Sequence, residues 1–250
     1  MDSHDRPTKQ EGDELLRLVR NYIAFVIIAP PPNQSESRIY GNATCSFIDT
    51  GSRRFGITNR HVVEGFRKLR EENPNMNFQI GSYVFDIENR IIDECNRPDL
   101  LTFEVSEEFM SRIGKTFCLC RTWPPLRAND DETIVFAGFP GQFREQISQD
   151  SARFGIAAML ELVTSSSENQ FVIFLDRDNW IRRFGTREIS ELKNLGGMSG
   201  TAVFRRGKNN CIIPLEPIGI IYEGGAEWDL QFAVHIDFVR PNGTINCSIV

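Results

Sequence analysis

The sequence predicts an all-β protein, a sandwich or barrel with few helices. Three features carry that expectation: many short apolar or alternating runs, Gly, Pro, Asn and Asp between them at close intervals, and few stretches with helical spacing.

Taken in order, residues 1–11 read as a leader without fixed structure. Leu15, Leu16, Leu18 and Val19 then recur at helical spacing within 12–21, which predicts a short amphipathic helix. Residues 22–29 read as a strand, stopped by Pro30-Pro31-Pro32, which cannot continue a ladder. Strands over 42–49 and 54–59 meet at Thr50-Gly51-Ser52, a hairpin signal. That hairpin delivers His61 where its second strand hands over to a helix at 62–71, which ends near Asn73-Pro74. Further strands are expected over 78–80, 83–87 and 90–92, and Asp99 opens an alternating run at 100–105. Segment 106–114 reads as a helix or a plain connection, and the boundary between two halves falls there. The second half carries strand signals at 116–121, 133–139, 153–163, 170–175, 201–204, 212–213, 217–222 and 231–234.

At 250 residues the chain has room for one large domain or two small ones. Hydrophobic residues make up 40% and charged residues 25%, which excludes a disordered chain. A net charge of −6 and a pI near 5.3 leave no basic footprint for nucleic acid. Positions 1–14 are polar, with neither the apolar core of a secretory signal nor a transit-peptide character. The most apolar early run, 23–29, is too short to span a bilayer. Cytoplasmic residence is therefore expected, and with it reduced thiols for the six cysteines at 45, 95, 118, 120, 211 and 247. Cys118 and Cys120 alternate onto one face, but no second pair or nearby histidine completes a zinc set, so no metal is expected.

The stretch Asn194-Leu195-Gly196-Gly197-Met198-Ser199-Gly200-Thr201 sets one serine among glycines, directly before an apolar run. Such glycines turn the backbone tightly and free amide N–H groups, which a nucleophilic serine and its oxyanion need. By itself the pattern is better read as a Gly-Ser turn between two strands. Of the three histidines, His4 falls in the leader and His235 follows a strand, where a local hydrogen bond accounts for it. His61 sits where a strand meets a helix, a rigid place for an imidazole that serves a structural or a base role. Asp99, with Asp93 and Glu94 as nearby competitors, follows Arg97-Pro98 and precedes Leu100-Leu101. A carboxylate at such a strand start is a turn residue or the orienting partner of an imidazole.

In the order His61, Asp99, Ser199 along an all-β chain, these residues resemble the chymotrypsin-like serine peptidases, in particular their compact bacterial branch without disulfides. The likeness extends from 40 to 240. Residues 44–49 and 55–63 are similar to the strand pair leading to the family's histidine. Val135-Phe136-Ala137-Gly138-Phe139-Pro140 resembles a strand of its second barrel, Ile218-Gly219-Ile220-Ile221 the strand lining the cleft, and Phe232-Ala233-Val234-His235 the closing strand.

The resemblance implies two packed antiparallel β-barrels, at 20–112 and 113–250, behind a leader and short helix at 1–19. It implies that Ser199 attacks the scissile carbonyl, that His61 moves the proton and that Asp99 orients His61. The N–H groups of Gly197 and Ser199 would form the oxyanion hole. Lys193 falls near the specificity-pocket floor, and Tyr222, Glu223 and Gly224 lie along the cleft. The expected partner is a protein or peptide substrate, with no cofactor, metal, nucleic acid or membrane. Where many secreted relatives pair an aspartate with a new N-terminus, this chain has Met198, so constitutive activity, or gating by a partner or loop, is expected instead. A barrel pair that has lost catalysis and binds an extended peptide is the alternative.

Overall fold

The computed structural model describes residues 9–31, 39–148, 151–176, 180–184, 195–206, 215–225 and 229–248. The chain is mostly β, with short helices α1 (Lys9–Asn21), α2 (Arg60–Glu72) and α3 (Glu107–Ile113).

The first sheet holds β1 (Ile23–Ala29), β2 (Gly41–Asp49), β3 (Arg54–Thr58), β4 (Asn77–Ile80), β5 (Tyr83–Val84), β6 (Ile91–Cys95), β7 (Leu100–Phe103) and β8 (Cys118–Leu119). Its order is β5-β4-β1-β2-β3-β7-β6, with β8 added in parallel to β2. The second half contributes β9 (Thr133–Gly138), β10 (Arg144–Ser148), β11 (Ser151–Phe154), β12 (Ile156–Ser166), β13 (Gln170–Phe174), β14 (Trp180–Phe184), β15 (Ala202–Arg205), β16 (Glu216–Gly225) and β17 (Leu230–His235). There β13-β17-β16-β15-β9-β12 close into a six-stranded barrel through the β12–β13 pairing, and β14 adds to β12.

Only one of the two expected barrels closes among the described residues. The first sheet stays open because β5 ends at Val84, short of the strand expected to run to 87, and a 3-10 turn at Glu88–Arg90 separates it from β6. Phe85 and Ile87 are buried there in the core of the first sheet.

Three apolar clusters follow from this layout. One fills the first sheet beneath α2 and α3, where Val62, Val63 and Phe66 are buried. A second fills the barrel. The third joins the halves, with Leu16 and Val19 of α1 packed with residues such as Phe55, Val135 and Phe204. An amphipathic helix gains most of its stability from such a buried face. No helix among the described residues is long and apolar enough to cross a membrane.

Segment 106–114, open between helix and connection, folds as α3. Ser106 Oγ accepts the Phe109 N–H at 3.1 Å, and Gly114 ends the helix in the left-handed region. Ser106→Ala is expected to lower stability by about 1 kcal/mol, read from the urea midpoint at unchanged slope.

The expectation of reduced thiols fails at one pair. Cys95 and Cys247 are disulfide-bonded, with Cα atoms 6.0 Å apart. The C-terminal segment returns across the first sheet, where Thr102 Oγ1 donates to Gly243 O and the Ile245 N–H donates to Asp93 Oδ2. That return sets Cys247 beside the end of β6, a meeting that no local sequence feature announces. Cys45, Cys118 and Cys120 are free and buried, and Cys211 lies outside the described residues.

Candidate active site

The Ser199 loop is held by hydrogen bonds at nearly every peptide. Gly141 N–H donates to Gly196 O at 2.7 Å, Thr44 Oγ1 to Gly197 O at 2.8 Å, Thr44 N–H to Ser199 O at 2.9 Å and Ser46 Oγ to Gly200 O at 2.9 Å. On the donor side, the Met198 N–H reaches Leu195 O, the Gly200 N–H reaches Ile221 O and the Thr201 N–H reaches Met198 O. Two N–H groups of the turn, those of Gly197 and Ser199, meet no acceptor among the described residues. They are the two donors expected of an oxyanion hole.

Both flanking glycines are required. Gly197 has φ +104° and Gly200 φ +87°, the region that side chains avoid. A Cβ at Gly197 would stand 2.1 Å from Asn42 Nδ2, and one at Gly200 2.0 Å from Thr44 O. The Met198 side chain is buried in the barrel core, and Gly138 leaves the space in which its sulfur sits.

The imidazole comes from the other half. Asn59 precedes α2 without capping it through its side chain, which donates instead to Asp99 O at 2.7 Å. The cap falls to Asp99. Its Oδ1 accepts the His61 backbone N–H at 3.0 Å, and its Oδ2 lies 2.5 Å from His61 Nδ1. One carboxylate thus serves an otherwise orphaned helix N–H and fixes the ring with its proton on Nδ1, which leaves Nε2 as the acceptor nitrogen. The His61 side chain is 47% exposed and that of Asp99 24%, so the pair is open to solvent.

Thr58, three residues before His61, ties the two parts together. Its Oγ1 donates to Thr44 O at 2.9 Å, and the same hydroxyl lies 2.5 Å from where a Gly200 Cβ would stand. The serine loop therefore rests on β2 and the end of β3, the strand from which α2 and His61 emerge. No hydrogen bond joins Ser199 Oγ to the imidazole among the described residues.

Of the other expected site residues, Glu223 and Gly224 are exposed on β16. Tyr222, at a bulge between Ile221 and Glu223, donates its hydroxyl to Gln170 Oε1 at 2.5 Å. Burial, with the charges of Glu223 and Asp99, holds its phenol above the ordinary value. A cavity of about 290 Å³ runs beside it, lined by Pro98, Asp99, Asn169 and Phe238 among others. Lys193 lies outside the described residues, as does His4. His235 is buried with Nε2 2.9 Å from Ser167 O, so its bond crosses to a distant turn and is not local. Burial lowers its affinity for a second proton. Among the described residues, no group of three or more His, Cys, Asp or Glu is placed to hold a metal ion.

Asn42, Thr44 and Ser46, which sequence reasoning leaves without a role, hold the loop. Asn42 Nδ2 donates to Phe139 O, and Thr44 Oγ1 accepts the Phe139 N–H. Their signal was available: polar residues at every second position of an otherwise apolar strand, a face that must meet polar backbone if buried.

No family model and no curated protein matches the chain. Solved structures do match by shape. One is a chain from work on how aromatic interactions drive the coupled folding and binding of the intrinsically disordered Sesbania mosaic virus VPg protein. It aligns over 86% of this chain and 87% of its own at 13% identity and a TM-score of 0.43, a likeness too slight to argue from.

Proposed function

We propose that this chain is a serine endopeptidase of chymotrypsin-like fold, in which the open first sheet and the closed barrel stand as the family's two halves. Ser199 attacks the peptide carbonyl, and His61 Nε2 takes its proton and returns it to the leaving amine. Asp99 keeps the ring oriented and stabilises the imidazolium. The N–H groups of Gly197 and Ser199 receive the oxyanion, and water then releases the acyl group by the same steps.

One observation carries this reading: Asp99 clamps both the backbone and the ring of His61, three residues after the Thr58 that meets the serine loop at Gly200, and the N–H groups of Gly197 and Ser199 in that loop have no acceptor among the described residues. Exposed Glu223 and Gly224 on β16 offer an extended peptide a place to lie. The barrel setting of Met198 favours control by a partner or by loop ordering over control by a cleaved N-terminus.

A second reading, a silent barrel pair that binds peptides, draws on the missing Ser199–His61 hydrogen bond. An alkyl fluorophosphonate distinguishes the two. Covalent labelling of the parent and of none of the Ser199→Ala protein is expected. Equal labelling of both proteins overturns the assignment of Ser199, and no labelling of either, with or without a candidate substrate protein, favours the silent pair.

A further inference from the structure

A second cavity, of about 430 Å³, lies between the end of α1, β1, the β4–β5 turn, α3 and the near edge of the second half. In a chain of net charge −6, its wall carries Arg20, Arg112 and Lys115, and none of the described residues lining it bears a carboxylate. Lys115 Nζ donates to Arg20 O at 2.8 Å, the carbonyl end of α1, leaving two of its three donors for another partner. Arg112 pairs with Glu108 on the exposed face of α3, a contact worth little, and its guanidinium stands 5.7 Å from the centre of the Tyr83 ring.

Three phenylalanines, Phe25, Phe139 and Phe154, form part of the remaining wall. Phe25 stacks on Phe154 with centroids 4.7 Å apart, and Phe139 meets Phe25 edge-on at 5.5 Å. We propose that this cavity binds a small phosphomonoester with a flat apolar body: the phosphate oxygens between Lys115 and Arg112, and the body against the phenylalanines. Arginine forks and a lysine ammonium are the groups that hold a phosphate, and a site 430 Å³ in volume accepts an organic ligand of modest size.

The electrostatics agree. Burial, then the charge of Arg20, pulls the Lys115 ammonium down to about 8, as expected of a cation that no carboxylate among the described lining residues compensates. A bound phosphate would supply an anion there. Phe139, which lines the cavity, also bonds through its peptide to Asn42 and Thr44 under the serine loop, so cavity wall and loop share one segment. Binding itself does not depend on the peptidase reading.

Titration calorimetry of the full chain with phenyl phosphate, inorganic phosphate and phenol tests the assignment. Phenyl phosphate is expected to bind more tightly than either fragment. Lys115→Met, which keeps the stem volume, and Arg112→Gln, on an exposed position, are each expected to weaken it by about ten- to a hundred-fold, with thermal melting retained. Sedimentation with phosphatidic-acid vesicles separates the sources: binding there alone assigns a lipid headgroup, and binding in solution a free metabolite. Absence of both, or phenyl phosphate affinity unchanged in the two variants, overturns the proposal. A Lys115 that only caps α1 predicts the latter result together with a lower melting temperature.

Discussion

Asp99→Asn is expected to cut peptide-bond hydrolysis by roughly 10⁴-fold while costing only about 1 kcal/mol of stability. The two numbers separate two jobs that one side chain performs. As a cap, Asp99 Oδ1 accepts the His61 backbone N–H, and an asparagine oxygen can do the same. As an orienting group, Oδ2 sits 2.5 Å from Nδ1, where an asparagine would present an N–H and drive the proton of the ring to Nε2. An imidazole protonated at Nε2 cannot accept from Ser199. The measurement is kcat/KM on a peptide or protein substrate, beside the urea midpoint of the same preparation. A loss of stability with hydrolysis near the parent rate would leave Asp99 as a helix cap only. His61→Ala should fall at least as far in rate, and its exposed ring makes a small change in melting the expected companion result.

Elements with strong apolar periodicity were legible in the sequence. The hairpin of β2 and β3, helix α2, and the strands β9, β15, β16 and β17 stand within a few residues of where periodicity sets them. What escaped was structure whose cause lies elsewhere in the chain. β10, Arg-Glu-Gln-Ile-Ser, is largely exposed, so it shows no alternation and exists because it pairs with β11. The run 153–163 reads as one strand, but it breaks at Gly155, whose N–H turns aside to Phe143 O. Strand β14 likewise went unread and is defined by its register with β12. β8 falls after the expected boundary at 112, yet it pairs with β2 of the first sheet.

The site divides in the same way. A serine among glycines, a histidine at a strand-to-helix junction and an aspartate before a strand are local patterns. The pairing of Asp99 with both the backbone and the ring of His61 is not, because it depends on β7 lying beside β3. For Asn42, Thr44 and Ser46 the alternation along β2 is local, but the backbone they meet depends on a fold that lays the second half across β2.

That bed makes Gly200 the most demanding position of the site. Gly200→Ala is expected to destabilise the protein by roughly 3–5 kcal/mol and to abolish fluorophosphonate labelling together with it. Two causes add. The residue holds φ +87°, and its Cβ would stand 2.0 Å from a backbone oxygen of Thr44 and 2.5 Å from Thr58 Oγ1. Neither neighbour can retreat cheaply: Thr44 is fixed by bonds to Ser199 and Gly197, and Thr58 by its bond to Thr44 O. Gly51→Ala supplies the control, because Gly51 has φ +80° with nothing within 4 Å of an added Cβ. It isolates the conformational cost, about 1–2 kcal/mol. The difference between the two urea-derived stabilities then measures the collision alone. Ser199→Ala, one residue away and free of both problems, should melt near the parent while losing all labelling. A Gly200→Ala protein no less stable than the Gly51→Ala protein would mean that the loop does not rest on β2, and the unclaimed N–H groups of Gly197 and Ser199 would lose the frame that aims them.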